Sequence, residues 1–191
     1  MPYEESVLIS RARAGDVASF ETLVQEHQSR LFRLILVLCG NADDAEDALQ
    51  ETLLQAYRAL PFFRGDAAIS TWLHRIALNT TRNWLRRQAR ASADRIATRM
   101  VVSGSENTQP GPEQQFLARD HRRAVREAVL KLPPHYRDAI ILRHYQEMPY
   151  EDIAEVLEVP IGTVRSRIAQ ARQLLLRRLQ ALDEPASTKD R

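Results

Sequence analysis

A single cysteine, Cys39, excludes a disulfide framework and any thiolate-based zinc site in this 191-residue chain. Lysine is almost missing: Lys131 and Lys189 are the only ones, so nearly all positive charge is guanidinium. Aromatics make up 6% and there are 6 glycines; with few alternating apolar stretches, an extensive β-sheet is excluded. No apolar run approaches the roughly 18–20 residues that span a bilayer. The longest, Leu34 to Cys39, is of core size. The opening Met1-Pro2-Tyr3-Glu4-Glu5 lacks the basic start and apolar stretch of a secretory leader, so a cytoplasmic location is expected. The five histidines (27, 74, 121, 135 and 144) stand at no metal-ligand spacing. The tight acidic cluster Asp43, Asp44 and Asp47 falls at a helix start. No metal, cofactor or small-molecule substrate is expected, and no catalysis by this chain alone.

What is present is helical periodicity and segregated charge. Apolar residues recur at three and four, which predicts helices over roughly 4–14, 19–39, 43–60 and 70–90. Gly40-Asn41 reads as a stop, Pro61 as an end, and Ser70-Thr71 as N-caps. The polar, turn-forming stretch Ser103 to Pro112 marks a linker. Helical pattern resumes over 113–132, breaks at Pro133-Pro134, and returns over roughly 135–145, 150–157 and 163–180. The expected fold is all-α: two small helical domains joined by a flexible linker, the second containing a helix-turn-helix. The expected boundaries are 1–92, a linker over 93–115, a second domain over 116–182 and a disordered tail over 183–191. The formal charge of +2 hides the distribution. Residues 1–63 carry 5 Arg against 10 acids, and residues 64–99 carry 8 Arg against 2. In the last domain, 147–158 holds five acids without a base and 161–180 five Arg without an acid. Such blocks mark either solvated faces that balance in the fold or surfaces for different partners.

Three segments carry chemistry. On the 43–60 helix, Ala45, Ala48, Leu49, Thr52, Leu53, Ala56 and Leu60 form an apolar stripe, opposed by Asp44, Asp47, Gln50 and Glu51. Acids in a first turn also stabilise a helix without any partner, by about 0.3–1 kcal/mol. On the 70–90 helix, Leu73, Ile76, Ala77, Thr80 and Trp84 face the core, while Trp72, Arg75, Asn79, Arg82 and Arg86 share a second face. That mixture of aromatic plate, amide and guanidinium suits single-stranded nucleic acid, where cations track phosphates and rings stack on bases. The preceding Phe62-Phe63-Arg64-Gly65-Asp66 offers further rings on a loop. Trp72 as a packing residue and the arginines as solvating charge is the competing account. Near the C-terminus, Tyr150 to Leu157 and the helix capped by Thr163 form a helix-turn-helix about Pro160-Ile161-Gly162. The second helix exposes Arg165, Ser166, Ala169, Gln170, Arg172 and Gln173, side chains suited to phosphates and base edges in a major groove. A helical hairpin in a bundle would explain the apolar stripe but not the run of arginines. A conventional helix-turn-helix regulator would use only this third segment.

Taken in order, several stretches form a specific set. They are Asp44-Ala-Glu-Asp47-Ala-Leu-Gln50-Glu51, Ala56 to Leu60, Phe63-Arg64-Gly65-Asp66, Thr71 to Asn79, and Gly162-Thr163-Val164-Arg165-Ser166-Arg167. Together they resemble the extracytoplasmic-function sigma factors of bacterial RNA polymerase, especially the sigma-E-like envelope-stress branch, over residues 5 to 182. The resemblance implies a transcription initiation factor acting in a stress response, with the first domain as region 2 and the second as region 4. It implies that Asp44, Asp47, Gln50 and Glu51 dock on a coiled coil of the polymerase β′ subunit, and that the β flap is a further contact. Phe63, Arg64, Trp72, Arg75, Asn79, Arg82 and Arg86 would open the −10 element and hold a flipped base and the separated strand. Thr163, Arg165, Ser166, Arg167, Ala169, Gln170 and Gln173 would read the −35 element as duplex. Promoter DNA and an anti-sigma factor, of a kind often anchored at the inner membrane face, are the other implied partners. Gln170 stands where sigma-E-type members commonly carry Arg, so the −35 preference is expected to differ. Linker length agrees: about 23 residues reach about 75–80 Å extended, enough for elements roughly 16–17 base pairs, or about 55–60 Å, apart.

Overall fold

The computed structural model describes residues 2–98 and 123–183, and among these there is no strand. The elements are α1 (Pro2–Arg13), α2 (Val17–Cys39), α3 (Ala42–Ala59), a 3-10 turn (Leu60–Phe62) and α4 (Ile69–Thr98). After them come α5 (residues 123–130), α6 (Pro134–His144), α7 (Tyr150–Leu157) and α8 (Ile161–Asp183). The expected linker stretch 99–115, the expected helix start at Glu113 and the tail beyond 183 lie outside the described residues.

Local chemistry sets most boundaries. Asp16 caps α2: its carboxylate accepts from the Ala18 and Ser19 amides at 3.1 and 3.4 Å and from the Ser19 hydroxyl at 2.7 Å. Those Ser19 bonds hold the Asp16 carboxyl below the usual carboxylate range. Gly40 ends α2 in a left-handed conformation, φ 100°, returning its amide to the Leu36 carbonyl at 2.9 Å. A side chain there would also displace the Arg126 guanidinium, a flexible end that can move aside, so it is the left-handed backbone that reserves the position for glycine. Asn41 then caps α3 by accepting from the Asp44 amide at 2.8 Å. Two starts differ from the sequence expectation. Helix α4 begins at Ile69, so Ser70 and Thr71 sit inside its first turn, and it runs to Thr98 rather than ending near Arg90. Helix α8 begins at Ile161 because the Pro160 carbonyl accepts from the Thr163 and Val164 amides at 2.8 and 3.2 Å; Thr163 is therefore inside the helix and does not cap it.

Two helical units result. In the N-terminal one, α2 lies against α1, α3 and α4, with Leu31, Leu34, Ile35, Leu60 and Leu73 fully buried. Burying each such side chain contributes about 1.5–3 kcal/mol. In the C-terminal one, α8 packs on α6 and α7 through Ile141, Leu142, Ile153, Val164 and Ile168. Arg143 ties the α6–α7 turn by donating to the Met148 carbonyl at 2.8 Å while lying over the Tyr150 ring. The two units also touch directly: α4 lies along α7, and α2 meets α6. That contact decides how the functional surfaces are presented.

Candidate nucleic-acid interface

The acidic face of α3 is open. Asp47 and Gln50 are exposed, and Asp44 is half-buried, held by the Asn41 amide at 2.7 Å. Glu51 differs from the free, exposed group the sequence predicts: it is half-buried and ion-paired with Arg87 of α4. Beside Gln50 a shallow groove of about 570 Å³ runs between α2 and α3, floored by Phe32, Leu49 and Leu53. An apolar floor with a polar rim is how protein-docking surfaces are usually built.

The loop before α4 holds the main correction. Helical spacing puts Trp72 on the outer face with Arg75 and Asn79, yet it is only 8% exposed. Phe63 folds back from the loop and covers it, ring centroids 5.2 Å apart, and is itself 6% exposed. Both rings are thus packed on each other and largely covered. The freely presented ring is Phe62, 81% exposed, which the sequence reading left among generic loop residues. Pro61 at the start of the 3-10 turn holds it there, with the Pro61 carbonyl accepting from Arg13 at 3.4 Å. The available signal was the rule that of two adjacent residues entering a turn only one can face the core. Phe62, Arg64, Trp72 and Arg75 line a cleft of about 540 Å³, and Glu155 of α7 and Glu158 just past its end close the other side.

Along α4, Asn79 and Arg86 are exposed, but Arg75 and Arg82 are occupied. Arg75 donates to Glu158 at 2.7 Å, and Arg82 is ion-paired with Asp138 of α6. Asp138 is fully buried; burial pushes its carboxyl above the usual range, while the Arg82, Arg137 and Arg167 charges pull it back. Asp138 Oδ1 and the Nε atoms of Arg82 and Arg137 lack a hydrogen-bond partner among the described residues. One helical turn before Asn79, His74 is 2% exposed, and its Nδ1 donates to the Ser70 carbonyl at 2.7 Å. That bond leaves Nε2 as acceptor, so the Gln146 amide nitrogen is the group facing it at 3.4 Å; in this orientation the same nitrogen reaches the Arg30 carbonyl at 3.2 Å. Burial holds the His74 imidazole below its ordinary range.

The polar face of α8 is uncovered. Arg165, Ser166, Ala169, Gln170 and Gln173 are exposed on one side, while Val164, Ile168 and Ala171 are buried on the other. Ser166 donates to the Thr163 carbonyl at 2.9 Å, so it serves the helix as well as any ligand. Arg167 leaves this group: half-buried, it lines a cleft with Asn79, Arg82, Arg86 and Asp138. Among the described residues no cluster of three or more His, Cys, Asp or Glu could hold a metal ion. None of their helices is long and apolar enough to cross a membrane.

Two family models match the chain: Sigma-70 region 2 over residues 23–91 and Sigma-70 region 4 over residues 122–175. The RNA polymerase sigma-H factor of Pseudomonas aeruginosa is 37% identical over 184 residues, covering 94% of this chain and 95% of that protein. The chain belongs to the extracytoplasmic-function sigma factors. The ECF RNA polymerase sigma-E factor of Escherichia coli K12 is 37% identical over 183 residues, covering 93% and 95% of the two chains. Among solved structures, CnrH in complex with the cytosolic domain of CnrY aligns with TM-score 0.68 at 25% identity, over 93% of this chain and 98% of that one. The sigma factor RpoE of Bartonella quintana, in complex with the anti-sigma factor NepR, aligns with TM-score 0.63 at 26% identity, over 86% and 98%. As a sigma factor, the protein directs promoter-specific transcription by RNA polymerase. The two-domain, all-helical architecture agrees with the sequence expectation.

Proposed function

We propose a division of labour among the three surfaces of this sigma factor. The α3 face, Asp44, Asp47, Gln50 and Glu51 with the adjoining groove, docks on the β′ coiled coil of core polymerase. The loop and α4, residues 62–86, open the −10 element and hold the displaced strand. There Arg64, Arg75, Asn79, Arg82 and Arg86 meet phosphates and base edges, Phe62 offers a stacking face, and Phe63 and Trp72 support the cleft from beneath. The exposed half of α8, Thr163 to Gln173, reads the −35 element as duplex, with Arg165 and Gln170 at base edges and Arg167 joining once the units part. Residues 1–92 and 116–182 are the two DNA-reading domains, and 93–115 join them. The factor supplies binding and positioning; the chemistry is the polymerase's.

The observation that carries this reading is a pair of polar faces, on α4 and α8, in one chain whose intervening segment is long enough to span both promoter elements. We also infer control by an anti-sigma factor in a stress response, because two similar solved structures, CnrH and the Bartonella quintana RpoE, were each solved with a partner and the second partner is an anti-sigma factor. Such a partner, if membrane-anchored, would hold this otherwise cytoplasmic factor at the inner membrane face. The test is reconstitution: Asp47→Arg with Gln50→Arg alters two exposed side chains and should abolish co-purification with core polymerase while leaving the thermal unfolding curve in place. Retained co-purification would overturn the docking assignment.

A further inference from the structure

Arg172 of α8 is exposed, and among the described residues no carboxylate pairs with it. Its partner is a histidine of another helix: Arg172 Nη2 donates to Nε2 of His144, the last residue of α6, at 3.3 Å. His144 is exposed as well. Because Nε2 accepts, this imidazole is neutral and carries its proton on Nδ1. The charged groups that bear on it are Arg172 from α8 and Arg143 from its own helix; α7 contributes none, nor does any carboxylate among the described residues. Burial, with both guanidinium groups acting in the same direction, holds the imidazole below its ordinary range. Arg143 is itself engaged at the α6–α7 turn through the Met148 carbonyl. The pair therefore presents a guanidinium and an imidazole nitrogen side by side, with no counter-ion from the chain.

Position supplies the use. Arg172 follows Arg165 by two helical turns, so the two share a side of α8 and stand about 10.5 Å apart along it. That is close to the roughly 12 Å width of a major groove. With the N-terminal half of α8 in the groove, Arg172 stands at the wall, among phosphates. A phosphate oxygen at the usual distance of about 2.8 Å from each nitrogen completes a triangle with Arg172 Nη2 and His144 Nε2. Both nitrogens must then donate, and Nε2 does so once His144 has taken a proton from solvent. We propose that His144 and Arg172 together clamp one backbone phosphate of the duplex at the groove wall, and that His144 takes up a proton as the phosphate arrives. The proposal rests on the duplex-reading role given to α8 above. The imidazole is depressed in the free chain and raised by the phosphate's negative charge. Affinity for duplex DNA should therefore grow as the pH falls through the histidine range.

The experiment uses the full-length chain and a short labelled duplex selected by the wild-type chain from a random-sequence pool. Fluorescence anisotropy over a range of salt, at roughly pH 7.5 and roughly pH 5.5, gives the affinity and its salt dependence. Between the two pH values the wild type should gain about fivefold more affinity than His144→Gln. Its salt slope should steepen by about 0.9 at the lower pH, one further counterion being released, and that of His144→Gln should not. His144→Lys, a permanent cation, should keep the low-pH affinity at both values. Arg172→Ala should reduce the slope by about 1 throughout. If His144→Gln matches the wild type in pH response and slope while Arg165→Ala still weakens binding, the clamp is wrong and the reading of α8 stands. Affinity unchanged by both Arg165→Ala and Arg172→Ala would overturn the duplex-reading role of α8, and the clamp with it. Wild-type binding that weakens at the lower pH, an effect absent from His144→Gln, would mean that neutral His144 only orients Arg172 and would overturn the proton uptake.

Discussion

Two arginine-bearing helix faces, on α4 and α8, look alike in the sequence and stand differently in the fold. On α8 Arg165, Ser166, Ala169, Gln170 and Gln173 face outward, with no acid anywhere in residues 161–180. On α4 three of the arginines are matched: Arg75 with Glu158, Arg82 with Asp138, Arg87 with Glu51. Composition therefore does not tell which basic surface is available. A cationic face is a binding surface only to the extent that the chain's own carboxylates leave it alone, and here one is left alone and the other is not.

The largest expected effect breaks both faces together. Ile153 of α7 is fully buried, and α7 both supports α8 and supplies Glu158 to α4. Ile153→Ala should cost about 2–5 kcal/mol. Calorimetry should show this as an early transition confined to the C-terminal unit, with the α1–α4 core melting later. A single transition moved down as a whole would mean that the two units fold as one body.

Arg165→Ala sharpens the contrast. Because α8 presents its polar face outward, the loss of about 1–3 kcal/mol should appear in duplex −35 binding and leave single-strand binding unchanged. An equal loss on single strands would mean that the two faces form one site. Phe62→Ala should show the opposite pattern. Its stacking contribution, about 1–3 kcal/mol per base, should appear in single-strand binding and leave duplex −35 binding unchanged. Trp72→Ala, by contrast, should lower thermal stability rather than strand affinity, since that ring is spent on Phe63.

The elements were legible in the sequence where backbone chemistry is local. Gly40 stops α2 because its left-handed backbone suits glycine, and Pro61 and Pro133 interrupt helices for want of an amide donor. Asn41→Ala should accordingly cost only about 1 kcal/mol, read as a small shift in thermal unfolding. What the sequence hid depends on partners far along the chain. Arg75 and Glu158 are 83 positions apart, and nothing in a charged helix face says whether solvent, DNA or another helix will meet it. Trp72 was misplaced for the same reason. Angular position on α4 grouped it with Arg75 and Asn79, and only the return of Phe63 over the loop shows that it is covered.

The smallest expected effect lies at the seam between the two faces. His74 of α4 is buried against the α6–α7 turn in its neutral form, its Nε2 accepting from Gln146. Its folded-state pKa lies below the ordinary value of 6.5, chiefly through burial, with the positive charge of Arg30 and His27 acting in the same direction. Against these, the bond from Nδ1 to the Ser70 carbonyl raises it. For a histidine depressed in the folded state, the contribution to stability is complete above the ordinary pKa and is lost as the pH falls below it. Between roughly pH 7.5 and roughly pH 5.5 the contact should therefore loosen. Amide exchange should rise first around the α6–α7 turn and the facing stretch of α4, while α8 keeps its protection. Replacement by a neutral residue of similar shape, His74→Gln, should flatten that pH dependence. If exchange instead rose evenly over both units, acid would be acting on the whole fold and not on the seam that separates a covered face from an open one.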